Sequence, residues 1–192
     1  RGNGNERENE ETIRIATEFL SDSDGVVAVD LAGAEALFPT SDYEKLFAHA
    51  RAEGIPFTIH AGEAAGPESI RQAVDYGTAR IGHGVNCIHD KNLMNIIAEK
   101  GITLELCPTS NLNTKIVNDI KDYPIDKIIN NKIKVTINTD NMTVSGTDEA
   151  SEMKLICDTF GYDGNMRRIF VDNAIDAAFL SNEMKEKLRG NL

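Results

Sequence analysis

Tryptophan is absent, and no run of apolar residues reaches the ~20 needed to carry a helix across a bilayer. That excludes a helical membrane protein and predicts no membrane partner. Cysteine is scarce: Cys87, Cys107 and Cys157 are odd in number, far apart and outside any Cys-x-x-Cys spacing. This excludes a disulfide framework and a cysteine-based zinc site, and predicts free thiols in a reducing compartment. Positive charge is also short, with 20 Lys and Arg against 31 Asp and Glu, a net charge of -11 and no basic cluster. Repulsion then disfavours nucleic acid and anionic membranes and leaves a neutral or cationic small molecule as the fitting partner. The opening residues, Arg1 to Glu6, have neither an initiating Met nor an apolar signal region behind them. A cytoplasmic protein whose start is a cut is expected.

What is there is a single domain's worth of core, residues 1–192 with 41% hydrophobic and 27% charged residues. Ile13, Ala16 and Leu20 fall on one side of a first amphipathic helix. Apolar, β-branched runs then alternate with helical stretches. The strands expected are Val26 to Val29, Pro56 to His60, Ala79 to Ile81, Ile102 to Leu106 and Lys134 to Ile137. Between them, Ser41 with Glu44 reads as a capping box for a helix ending at Gly54, and Pro67 opens a helix at its first position. Asp90 caps a helix that Gly101 ends, another helix starts near Pro124, and three helical pieces follow Asp148, the last capped by Ser181.

Five strand-helix units in strict alternation imply a parallel α/β sheet. A dinucleotide glycine fingerprint, the mark of a common doubly wound fold, is missing. Four of the strands instead end in chemistry-bearing residues: His60-Ala61-Gly62-Glu63, Gly82-His83-Gly84, Cys107-Pro108-Thr109-Ser110-Asn111 and Asn138-Thr139-Asp140-Asn141. Polar residues just past successive strand ends are how a (β/α)8 barrel builds its active site. Five strands cannot close such a barrel, so the chain reads as its C-terminal five-eighths, with the first three strands absent.

A lone strand-end His is commonly a structural, hydrogen-bonded residue; the joint placement is what carries the argument. His60 and Asp140 offer an imidazole and a carboxylate to a zinc-like ion. Glu63, three residues beyond His60, can face the same pocket and donate a proton. His83 sits between two glycines that let backbone and ring approach a ligand closely. His49 and His89 are read as structural.

Together with Val29-Asp30-Leu31-Ala32-Gly33, these motifs in this order resemble the adenosine deaminase family, zinc-dependent members of the amidohydrolase-type barrels. The resemblance runs from about Val26 to the C-terminal helices. It implies that His60 and Asp140 are zinc ligands, that Glu63 protonates purine N1 and that His83 orients or deprotonates the attacking water. It implies further that Gly33 gives its backbone N–H to N3 and that adenosine becomes inosine and ammonia. Adenine deaminase of the same family, or an inactive purine-binding fragment, are the alternatives.

Two departures stand out. The family's His-x-His pair supplies two more zinc ligands, and these 192 residues contain no His-x-His. Asn141 stands where many relatives have an Asp that donates to purine N7; the amide can donate at any pH. Poor zinc binding and low turnover are expected of the chain alone, with self-association or a complementing N-terminal segment covering the open sheet edges.

Overall fold

The computed structural model describes residues 1–21 and 24–190. Among these residues, five strands form one sheet: β1 (Val29–Leu31), β2 (Phe57–Ala61), β3 (Arg80–His83), β4 (Thr103–Leu106) and β5 (Val135–Ile137). Every pairing is parallel and the spatial order is the sequence order. An order that never reverses has no switch point of the doubly wound kind and is that of consecutive barrel units. β1 and β5 are its two edges.

Among the described residues, ten α-helices accompany the sheet: α1 (Glu6–Glu18), α2 (Glu44–Ala52), α3 (Pro67–Asp75), α4 (Lys91–Lys100), α5 (Pro108–Asn113), α6 (Ile125–Asn130), α7 (Met142–Ser145), α8 (Glu149–Phe160), α9 (Gly164–Ala177) and α10 (Asn182–Arg189). Local chemistry sets their ends. Asp90 accepts from Leu93 N at the start of α4, and Gly101 takes the left-handed conformation at its end. Asp148, Asp163 and Ser181 cap α8, α9 and α10 in the same way.

Strand side chains alternate between two faces. One face carries Leu31, Ile59, Ile81, Leu104 and Ile137, all buried among the helices. Full burial of each such side chain stabilises the fold by about 1.5–3 kcal/mol. The other face carries Asp30, Thr58, His60, Arg80, Gly82 and Glu105, with His60, Gly82 and Glu105 in register across three strands. This polar face is stitched by Thr58 Oγ1 donating to Glu105 at 2.8 Å and by an Arg80–Glu105 ion pair at 2.9 Å. Arg80 also donates to Ala177 O at 3.0 Å and stacks on the Phe179 ring, tying the α9–α10 link to the N-terminal end of the sheet.

Three sequence expectations need correction. Val26 to Val29 is not the first strand: it starts at Val29, while Val26 makes only an isolated bridge to Leu20. Leu20 is not on the first helix, which ends at Glu18 and buries Ile13 and Ala16. Ser41 does not cap α2; it lies inside a 3-10 turn over Thr40–Tyr43, and the helix begins at Glu44 with no side-chain cap. The short α5 and α7, each within a strand-end loop, were not expected at all.

Candidate active site

β2 delivers His60 on the polar face, and the missing side chain of Gly82 makes room for its ring. A Cβ there would lie 3.0 Å from His60 Nδ1. Gly84 serves Leu104 in the same way, where a Cβ would come within 2.8 Å. The glycines flanking His83 thus also make room for neighbouring protein side chains. His60 Nδ1 meets Asp30 at 2.9 Å. Burial acts to lower the His60 pKa, but the hydrogen bond and charge of Asp30, backed by Asp140 and Glu105, outweigh it and hold the ring above the ordinary histidine range.

His83 ends β3 with φ of 60°, and Asp140 follows β5 with φ of 56°, both in the left-handed region that residues with a Cβ seldom occupy. Such backbone costs about 1–3 kcal/mol and concentrates at functional positions. Here it turns both side chains toward His60. One ligand atom from each of His60, His83 and Asp140 lies within 4.8 Å of the others. The His60 and His83 rings meet edge to face at 5.2 Å. Asp140 Oδ2 accepts from Ser110 Oγ at 2.7 Å.

His83 is only 1% exposed. Burial lowers its pKa, with the charge of Glu63 opposing and that of His60 adding to the effect. Its Nε2 lies 3.5 Å from Glu63 Oε2, and its Nδ1 lies 3.1 Å from Asn111 Nδ2. Thr114 Oγ1 donates weakly to the other Glu63 oxygen at 3.4 Å. Four of the residues predicted from sequence, His60, Glu63, His83 and Asp140, thus share one end of the sheet. His49, on α2, instead pairs with Glu10 of α1 at 2.7 Å.

Gly33 adopts φ of 108°, open essentially to glycine alone, in the loop after β1. Asn141 caps α7, its Oδ1 accepting from Val144 N at 3.0 Å. That commits the acceptor half of the amide and leaves the donor half for a ligand.

Sequence reasoning missed Glu35. This residue is 4% exposed and accepts from the backbone N–H groups of Gly62, Glu63, Ala64 and Ala65 at 2.7–3.1 Å, and from Ser69 Oγ at 2.5 Å. It fixes the loop that presents Glu63. Asp30, Asn111, Ser110 and Tyr123 were also not assigned roles as supporting residues. No spacing rule finds them, because their partners lie on other strands.

The three cysteines are free and buried, and burial raises Cys87 to about 12. No helix among the described residues is long and apolar enough to cross a membrane. A cavity of about 580 Å³ lined by Leu20, Val27, Pro56 and Phe179 lies at the opposite ends of the strands, away from the polar cluster.

Imidazole nitrogen and carboxylate oxygen are what a zinc ion takes, and both candidate ligands have an oriented partner behind them, Asp30 for His60 and Ser110 for Asp140. The donor chemistry of His60 and Asp140 fits such an ion.

Comparisons with known proteins bear on the family and the fold. An adenosine deaminase from Haemophilus ducreyi is 45% identical over 98% of this chain and 55% of its own length. One from Clostridium perfringens is 42% identical over 86% of the chain and 50% of its own. Among solved structures, the N6-methyl-AMP deaminase from Arabidopsis thaliana superposes with a TM-score of 0.85 at 28% identity, covering 95% of this chain and 53% of that one. An adenine deaminase from Arthrobacter aurescens gives 0.84 at 23% identity, covering 94% and 55%, and shares the fold. The chain spans about half the length of the curated relatives it matches. Its five parallel units are part of a TIM barrel of the amidohydrolase kind. Residues 2–192 match the sequence profile described as adenosine deaminase, and with this site at the strand ends the chain belongs to the adenosine deaminase family.

Proposed function

We propose that the protein is an adenosine deaminase that hydrolyses adenosine and deoxyadenosine to the inosine nucleosides and ammonia, in the service of purine salvage in the cytoplasm. The observation that carries this is the convergence of His60, Glu63, His83 and Asp140 on one end of the sheet, with three of them within metal-ligand reach of one another.

His60 and Asp140 would hold a zinc ion, which when bound supplies the Lewis acidity that brings a water molecule's pKa toward neutrality. Glu63 delivers a proton to purine N1 as the water oxygen adds to C6. The proton that the water releases on adding returns to Glu63, the remaining hydroxyl proton passes to N6, and the C6–N6 bond breaks as the C6 carbonyl forms and ammonia leaves. His83 holds the attacking water, the Gly33 N–H binds N3, and the Asn141 amide donates to N7 without needing protonation. The acidic chain offers no basic cluster for a phosphate, which favours a nucleoside over a nucleotide.

Residues 1–192 supply half of the expected zinc ligands, so full activity belongs to a barrel in which a His-x-His segment completes the set. Edges β1 and β5 would receive that segment or a second copy of the chain. Adenine deamination is the second reading, because the purine-facing residues would serve the free base equally.

The test is a zinc-supplemented assay with adenosine, adenine and AMP, run beside an intact-mass and sedimentation measurement. Conversion of adenosine well ahead of adenine, abolished in Glu63→Gln, supports the proposal. Adenine preferred over adenosine overturns the substrate assignment, and turnover unaffected by Glu63→Gln overturns the site. A chain that stays monomeric with its edges open overturns the expected association.

A further inference from the structure

Asn111 is fully buried between His83 and Tyr123, and the hydrogen bonds around it have a direction. Tyr123 is 2% exposed, and its hydroxyl lies 2.9 Å from Asn111 Oδ1. Were the Asn111 amide reversed, the phenol oxygen would meet an N–H instead of its acceptor, and the phenol's own proton would be stranded in a dry site. An unpaired buried donor of that kind costs about 1–3 kcal/mol. The phenol therefore donates to Asn111 Oδ1, which turns Nδ2 toward His83 Nδ1. A nitrogen that receives an N–H must present its lone pair, so a neutral His83 carries its proton on Nε2.

We infer that Tyr123 and Asn111 are positioning residues that fix His83 as an Nε2–H donor, so that His83 holds the attacking water by donating to its oxygen and neither deprotonates it nor binds the metal. This deepens the deaminase reading and rests on it for the identity of the water. His60 is held the opposite way. Asp30 accepts from its Nδ1–H, leaving the Nε2 lone pair for the ion. Two neighbouring histidines thus take opposite tautomers, and their different partners separate ligand from donor within one cluster.

Imidazole nitrogen NMR of the metal-free chain tests the assignment, at about pH 8, above the ordinary histidine range of about 6.5. With four histidines in the sequence, comparison with His83→Gln assigns the signals. The expected result is an Nε2–H, bare-Nδ1 pattern for His83 that inverts to Nδ1–H in Asn111→Asp, whose carboxylate can only accept. A wild-type Nδ1–H pattern, or one unmoved by Asn111→Asp, overturns the inference. Should Asn111→Asp fail to fold, Tyr123→Phe takes its place: a mixture of tautomers supports the relay and an unchanged pattern overturns it. No substrate or metal enters this measurement, so a failed deaminase assay and a failed tautomer assignment are distinguishable.

Discussion

Asp30 on β1 and His60 on β2 face each other on the polar side of the sheet, the carboxylate 2.9 Å from Nδ1. Fixing a ligand's ring from behind typically contributes 10- to 100-fold in metal affinity. Asp30→Ala should therefore weaken zinc binding by about 10- to 100-fold, measured by competition with a chromophoric chelator. An affinity unchanged by this substitution would show that Asp30 does not support the ligand.

Gly82→Ala should produce the same loss by another route. Its new Cβ would fall 3.0–3.2 Å from Nδ1, Cγ and Cα of His60, which displaces the ring from Asp30. Overpacking of this kind costs about 1–3 kcal/mol, so zinc affinity should drop more than the urea midpoint does. Equal chelator curves for wild type and variant would refute the steric account.

Glu35 makes stability depend on acid. Burial alone would raise its pKa, but the hydrogen bonds from Ser69 and the 62–65 loop outweigh burial and hold it below the usual carboxylate range. A depressed folded value means the contribution is fully present above the unfolded value of about 4.3 and is lost as pH falls through the folded one. Glu35→Gln should remove that acid-dependent component, and Glu35→Ala should cost about 3 kcal/mol or more by orphaning buried donors. Urea unfolding at a series of pH values reads both.

The Arg80–Glu105 pair offers a different test, since both side chains are only about one-fifth exposed. Removing Arg80 alone strands the carboxylate and should destabilise the protein by about 3 kcal/mol, whereas replacing both by apolar residues should cost clearly less. Additive losses in the double-mutant cycle would mean that the two groups do not act as a pair.

Much of this was legible in the sequence because parallel barrel strands are short, apolar and end in polar signals. The second to fifth strands fell within a residue or two of the expected bounds, and His60, Glu63, His83 and Asp140, singled out by their positions after strands, do come together at one end of the sheet. Val26 to Val29 misled because its β-branched run outscores Val29–Leu31, whose middle residue is the acid that serves His60. Ser41 misled because a 3-10 turn delays the helix past the capping position. Glu35 and the Tyr123–Asn111 relay were invisible for a common reason: each acts on a loop or ring that other parts of the chain bring near.

The grip of Glu35 on the 62–65 loop also sets the unit in which this scaffold can be re-engineered. Barrel enzymes are commonly diversified by exchanging one strand-end loop at a time. Here the loop carrying Glu63 takes its shape from a carboxylate in the preceding repeat, 27–30 residues upstream. A graft of the Glu63 loop alone would arrive without its template. Two adjacent repeats, transferred together, are the smallest module that keeps it.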